Sequence, residues 1–228
     1  MSVKVKKIIG KLLKKFGFQI SRSNGIPASY KLLNNYRYFQ GKFNKIEHLD
    51  GDVVECGVGF GHTLLLLLHQ TYVGGKKRTL WAFDSFEGFP EPSPEDKSDR
   101  NPKKGEWKVI TQADLDDIFF RRCGMPSEAK KLLKIAKGYF NDTLPTSPVE
   151  KIALLHLDVD LYDSYKVCLQ NLWDKVLVGG IVLFDEYKQK DTQKVFPGAA
   201  RAIDEFFIDK KQNIKYDVEF DKYYLVKL

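Results

Sequence analysis

Short unbroken apolar runs alternate along this chain with longer stretches whose apolar positions recur at helical spacing. Asp52–Cys56, Arg78–Phe83, Leu133–Ala136 and Ile152–Leu157 each read as a buried strand, and Gly180–Phe184 completes a fifth that ends at Asp185. Between them fall helical stretches: one around the very apolar Leu64–Leu68, then Ala113–Arg122, a short helix capped by Ser127, Asp163–Val176 and Ala199–Phe207. Thr111 and Asp114 have the spacing of a capping box, and Asp163 stands where an N-terminal cap would. The tail alternates over Tyr216–Phe220 and Tyr223–Val226, separated by Asp221-Lys222, which predicts a closing β-hairpin. This order predicts an α/β fold. It is Rossmann-like and doubly wound, with a mostly parallel seven-stranded sheet, an antiparallel C-terminal edge hairpin and N-terminal helices.

Ahead of the first strand, Ile8, Ile9, Leu12, Leu13 and Phe16 form one stripe of a helix over Val5–Phe16, with lysines opposite. A second helix is expected over Pro27–Phe39. Residues 1–50 are thus read as a helical extension that includes a cover for the site, and residues 51–228 as the main domain. The stretch Glu87–Lys108, rich in Pro, Gly and charge, has no periodic pattern; a loop of that length is usually a functional lid or a mobile segment.

The formal charge of +7 is concentrated in the first helix. That helix could lie on an anionic membrane surface through residues 1–16, or dock its apolar stripe on the domain or on a second subunit of a homo-oligomer; docking is favoured. Nucleic acid is excluded as a substrate because the expected site is acidic. Cys56, Cys123 and Cys168 have no paired spacing and read as reduced thiols of a cytoplasmic protein. Neither a membrane-spanning run nor a signal-peptide pattern is present.

Two strand ends carry the chemistry. Glu55-Cys-Gly57-Val-Gly59-Phe-Gly61 forms the first strand-to-helix turn, where glycine permits a sharp turn and close approach of a ligand. Its spacing departs from the dinucleotide pattern, and Glu55 would oppose a pyrophosphate but favour a sulfonium or ammonium cation. Asp84, followed by Ser85, is placed to accept from ribose hydroxyls, and His62 could touch the cofactor. Together these favour S-adenosylmethionine (SAM) over NAD. At the other end, Asp158 and Asp185 close neighbouring strands and can gather oxygens around one cation. Carboxylates without a clustered His or Cys set suit Mg²⁺ or Mn²⁺. His156, inside its strand, reads as a buried, hydrogen-bonded core residue.

Several blocks, in order, resemble the macrocin O-methyltransferase family, which methylates sugar hydroxyls on macrolides and related compounds. They are Glu55-Cys-Gly-Val-Gly, Phe83-Asp-Ser-Phe-Glu-Gly-Phe-Pro90, Gly138-Tyr-Phe-Asn-Asp-Thr-Leu-Pro145, Leu157-Asp-Val-Asp-Leu-Tyr162, Gly179-Gly-Ile-Val-Leu-Phe-Asp-Glu-Tyr187 and Pro197-Gly198. The resemblance spans roughly Asp52 to Phe207. It implies SAM and a divalent cation, usually magnesium, with Asp158, Asp185 and Glu186 as metal ligands and Asp160 as general base. The family usually has Asp-Asp where this chain has Asp185-Glu186, so the extra methylene changes how the second group reaches the metal. The expected activity is methyl transfer to a saccharide hydroxyl, on a natural-product glycoside or on a nucleotide- or lipid-linked sugar of a surface polysaccharide. Acceptor choice is expected in Asn24–Gln40 and Glu87–Lys108. The competing readings are a nicotinamide-dependent sugar oxidoreductase, which gives the acidic pair no task, and a silent SAM-fold scaffold that binds a membrane or partner through its N-terminal helix.

Overall fold

The computed structural model describes residues 30–189 and 192–228. The chain divides into a unit Met1–Asn34, of which residues 30–34 are described, and a unit Asn35–Leu228. The basic helix expected over Val5–Phe16, with its membrane or subunit contact, lies outside the described residues.

Helix α1 (Tyr30–Ile46) leads into strand β1 (Asp52–Cys56), helix α2 (His62–Val73) and strand β2 (Leu80–Asp84). After the long loop come helix α3 (Gln112–Asp116), which continues as a wider turn to Arg122, and strand β3 (Leu133–Lys137). Helix α4 (Phe140–Thr143), strand β4 (Ile152–Leu157), helix α5 (Tyr162–Leu172) and strand β5 (Val176–Phe184) follow. Short helix α6 (Thr192–Val195), helix α7 (Pro197–Phe207) and strands β6 (Ile214–Asp217) and β7 (Lys222–Val226) complete the chain. The seven strands lie in the order β3-β2-β1-β4-β5-β7-β6. The first five are parallel; β7 runs antiparallel to β5, and β6 antiparallel to β7. The order reverses between β1 and β4, the place where ligands bind in open α/β sheets.

Both faces of the sheet are covered, and β4 and β5 are apolar apart from His156. On one face Tyr165, Leu169 and Leu172 of α5 pack with Ile203 and Phe207 of α7. On the other, Phe39 of α1 and Leu64, Leu67 and Leu68 of α2 pack with Phe119. Cys56 and Cys168 are buried, Cys123 is exposed, and all three are free thiols. Among the described residues no helix is long and apolar enough to cross a membrane.

Several local expectations change. Helix α1 does not stop at Phe39, because the buried positions Tyr38, Phe39, Lys42 and Ile46 continue its helical spacing. Ser127 does not cap; Pro126 stands at the cap, and Ser127 opens the tight helical turn to Leu132. The helix expected to reach Val176 ends at Leu172, where a further tight turn lets Val176 begin β5. The hairpin's first strand is Ile214–Asp217, and Val218–Phe220 belong to the turn, with Val218 exposed.

Asp163 is not the cap of α5 either: Leu161 occupies that position without a side-chain cap. The cap comes from the long loop instead, since Asp96 Oδ1 accepts from Tyr162 N at 2.8 Å while Oδ2 accepts from Ser93 N at 2.9 Å. That loop is tied down. Phe89 N donates to Glu106 O at 2.8 Å, Ser98 Oγ to Val195 O at 2.8 Å, and the Arg100 guanidinium lies against the rings of both Phe89 and Phe196.

Candidate active site

Register sets the site. Cys56 pairs with Leu157 and Leu157 with Phe184, so β1, β4 and β5 end at one level. The residues that follow stay laced together: Asp158 N donates to Cys56 O at 3.0 Å, and Asp185 N to Leu157 O at 2.9 Å. Gly57 is required here. Its φ is +86°, and a Cβ would overlap the Asp158 carbonyl oxygen. The expected pairing of Asp158 with Asp185 is therefore present, and these carboxylates do not point apart.

A third residue joins them. One ring nitrogen of His156 and one oxygen from each of Asp158 and Asp185 all lie within 4.8 Å of one another. His156 on β4 and Asp158 just past its end are two apart in extended backbone, so their side chains share a face. The ring is buried, as expected, and its Nδ1 stands 3.2 Å from Glu55 Oε1 across the β1–β4 pairing. Burial holds the imidazole neutral, with a pKa lowered to about 4. The absence of a clustered histidine read from the sequence is thus corrected.

Glu55 itself was expected to face the cofactor. It is fully buried, bonded to His156, and its Oε2 has no protein partner. Burial, and then the charge of Asp158, push its pKa well up.

Glu186 is also buried, and its carboxyl meets those of Asp158 and Asp185 as well as Tyr165 of α5. Its Oε2 accepts from the Tyr165 hydroxyl at 2.9 Å and from Asp160 N at 3.2 Å. It is not one of the three groups that meet within 4.8 Å, although burial and the charges of Asp160, Asp158 and Asp185 raise its pKa strongly. Asp160 holds a left-handed φ of +58°, a conformation that aspartate tolerates. Burial and then Asp185 push its pKa up to about 7, with Arg100 opposing. Asp185 goes the other way. Burial would raise it, but Lys222 Nζ, 2.8 Å from its Oδ1, holds it at about 2.

The donor set fits a hard divalent cation. Asp158, Asp160, Asp185 and Glu186 crowd one strand edge, and the positive charges acting on them are Lys222 and Arg100. Such an excess of buried carboxylate is relieved by an ion or by protonation.

The glycine turn lies alongside. Gly57, Gly59 and Gly61 all have positive φ; the position of a Gly59 Cβ is open, whereas one at Gly61 would meet Leu115 and Phe119. Asp84 closes this turn by accepting from Val58 N at 2.7 Å and Phe86 N at 2.6 Å. Each oxygen keeps a lone pair for a ribose hydroxyl. Ser85 Oγ donates to Gly88 O at 3.0 Å, and exposed His62 stacks on Phe60 with centroids 5.9 Å apart. Trp107 from the long loop meets Phe60 edge-on at 6.0 Å.

Several known proteins are similar to this chain in sequence or in fold. The chain is 32% identical over 167 residues to demethyldecarbamoylnovobiocin O-methyltransferase of Streptomyces niveus, covering 70% of this chain and 59% of that protein. It is 33% identical over 141 residues to 8-demethyl-8-(2,3-dimethoxy-alpha-L-rhamnosyl)-tetracenomycin-C 4'-O-methyltransferase of Streptomyces olivaceus, covering 60% and 53%. The chain thus spans somewhat over half the length of these curated relatives. Among solved structures, the O-methyltransferase NovP superposes with a TM-score of 0.67 at 29% identity, over 86% of this chain and 79% of that one. The calicheamicin methyltransferase CalS11 shares the fold with a TM-score of 0.73 at 20% identity, over 99% and 93%. A family model matches residues 33–221, which take in the glycine turn and the acidic strand edge together, and the chain belongs to the macrocin-O-methyltransferase (TylF) family.

Proposed function

We propose that this chain is an O-methyltransferase that moves a methyl group from SAM to a saccharide hydroxyl, using Mg²⁺ or Mn²⁺ held at the β4–β5 edge. The observation that carries this reading is the meeting of Asp158 and Asp185 beside Asp160, next to a glycine turn closed by Asp84. The activities named for the relatives support a sugar hydroxyl as acceptor.

SAM supplies the activated methyl group, and a divalent cation supplies positive charge that lowers the pKa of an acceptor hydroxyl. The remaining work falls to side chains. Asp158 and Asp185 hold the cation, with Glu186 bracing the loop through Asp160 N and Tyr165. Asp160, with a pKa near neutral, takes the hydroxyl proton as general base. Gly57, Gly59 and Gly61 give the cofactor close backbone approach, Asp84 and Ser85 meet the ribose, and His62 borders the site. The loop with Phe89, Arg100 and Trp107 frames the acceptor side.

Calorimetry with SAM and with NAD, followed by methyl transfer to a panel of deoxysugar glycosides and nucleotide-linked sugars, tests the proposal. Binding of SAM and methylation of a sugar are expected. Binding of NAD alone, or methylation confined to acceptors without a sugar, would overturn it.

A further inference from the structure

We propose that His156 is a nitrogen ligand of the cation site and that Glu55 is the residue that positions it, so the site is a His-Asp-Asp set. This rests on the reading that the β4–β5 edge holds a divalent cation.

Among the described residues, His156, Asp158 and Asp185 are the group of three whose donor atoms converge within 4.8 Å. The convergence follows from the chain itself. A spacing of two puts His156, on β4, and Asp158, just past its end, on one face, and the β4–β5 register brings Asp185 level with Asp158. Glu186, the chain neighbour of Asp185, has its Oε2 engaged by Tyr165 and by Asp160 N, while its carboxyl also hydrogen-bonds those of Asp158 and Asp185. The imidazole therefore adds a nitrogen donor to the point where the two aspartates meet.

The ring is held for this task. Register pairs Glu55 with His156, and the 3.2 Å contact between Oε1 and Nδ1 engages that nitrogen, leaving Nε2 as the ligating atom. Phe39 packs edge-on against the ring with centroids 5.6 Å apart. A carboxylate on the far nitrogen of a ligating histidine fixes its tautomer and orientation, a pattern common at metal centres. It also gives a reason for a glutamate within a strand whose neighbours Val53, Val54 and Cys56 are apolar and fully buried. A nitrogen ligand shifts the preferred ion from Mg²⁺ toward Mn²⁺ and the later divalent transition ions.

The test loads the purified full chain, labelled with ¹⁵N-histidine, with Mn²⁺ alone and records pulsed EPR. A ¹⁵N coupling of a directly bound imidazole is expected. Four histidines are present, so the coupling must vanish in His156→Asn and persist in His62→Asn. His156→Gln is the second variant where His156→Asn does not fold. Titration should give wild-type Mn²⁺ binding tighter than Mg²⁺, a preference that His156→Asn largely loses. Glu55→Leu should weaken Mn²⁺ binding about 10–100-fold, while Glu55→Gln, which keeps a partner for Nδ1, retains the coupling. Bound Mn²⁺ without nitrogen coupling, or a coupling that survives both His156 substitutions, overturns this assignment and leaves a carboxylate-held cation intact. Failure of the wild type to bind either ion overturns both.

Discussion

Replacing Asp158 by alanine removes an oxygen donor from the point where β4 and β5 meet, yet leaves the glycine turn and Asp84 in place. Asp158→Ala should therefore abolish methyl transfer while SAM still binds by calorimetry; retained turnover would show that the strand edge has no part in the reaction. Asp160→Asn should lower kcat by about 10²–10⁴-fold, the usual worth of a general base, with Mn²⁺ binding nearly unchanged. At this scale the sequence was legible wherever a carboxylate followed an apolar run, which marked Asp158, Asp185 and Asp84. It was less legible where the partner came from elsewhere. The i, i+2 spacing of His156 and Asp158 was available as a signal. The neighbour across the sheet that fixes the ring, Glu55, depends on the β1–β4 register. Lys222 was hidden because Asp221-Lys222 reads as a turn, whereas Lys222 opens β7 and reaches Asp185 at 2.8 Å.

Elements were found by their apolar periodicity, and their ends were set by partners remote in sequence. The capping box at Thr111 is local, and it is present, with Asp114 N donating to Thr111 Oγ1 at 3.3 Å and Thr111 N to Asp114 Oδ2 at 2.8 Å. The cap of α5 is not local. Asp96 supplies it from 66 residues upstream, and no spacing rule could expose that. The same contact makes the long loop a fixed wall: Asp96 is almost fully buried, and a Cβ on Gly198 would overlap its carboxylate. Asp96→Ala leaves Tyr162 N and Ser93 N without their acceptor and should destabilise the protein by about 1–3 kcal/mol. In a chain of this size that is a fall in Tm of about 2–4 °C per kcal/mol, readable by calorimetry. If the loop frames the acceptor, the variant's KM for the sugar should rise while its affinity for SAM holds.

At the scale of the whole molecule, the alternation of strands and helices predicted the parallel sheet and its antiparallel edge, because each apolar run had to be covered on both faces. The acidic edge gives the fold a pH dependence. Asp160 titrates near 7 in the fold against an ordinary 3.8, so its contribution to stability is complete below about pH 4 and lost as pH rises through 7. His156, lowered to about 4, contributes fully above its ordinary 6.5 and loses that only as pH falls toward 4. Between pH 6.5 and 8.5 the raised Asp160 lowers stability as pH rises. In EDTA, Asp160 by itself should cost on the order of 1 kcal/mol over that span, lowering Tm by about 2–4 °C. Excess Mn²⁺ at pH 8.5 should reverse the fall, since ligation favours the ionised carboxylates; a Tm that rises with pH in EDTA would contradict the charge balance described for the site. The central claim, that one strand edge holds a cation needed for O-methylation, is met most directly by timing transfer of a radiolabelled methyl group from SAM to an accepted sugar in excess EDTA and after add-back. Turnover should stop in EDTA and return with Mg²⁺ or Mn²⁺. Undiminished turnover in EDTA would contradict it.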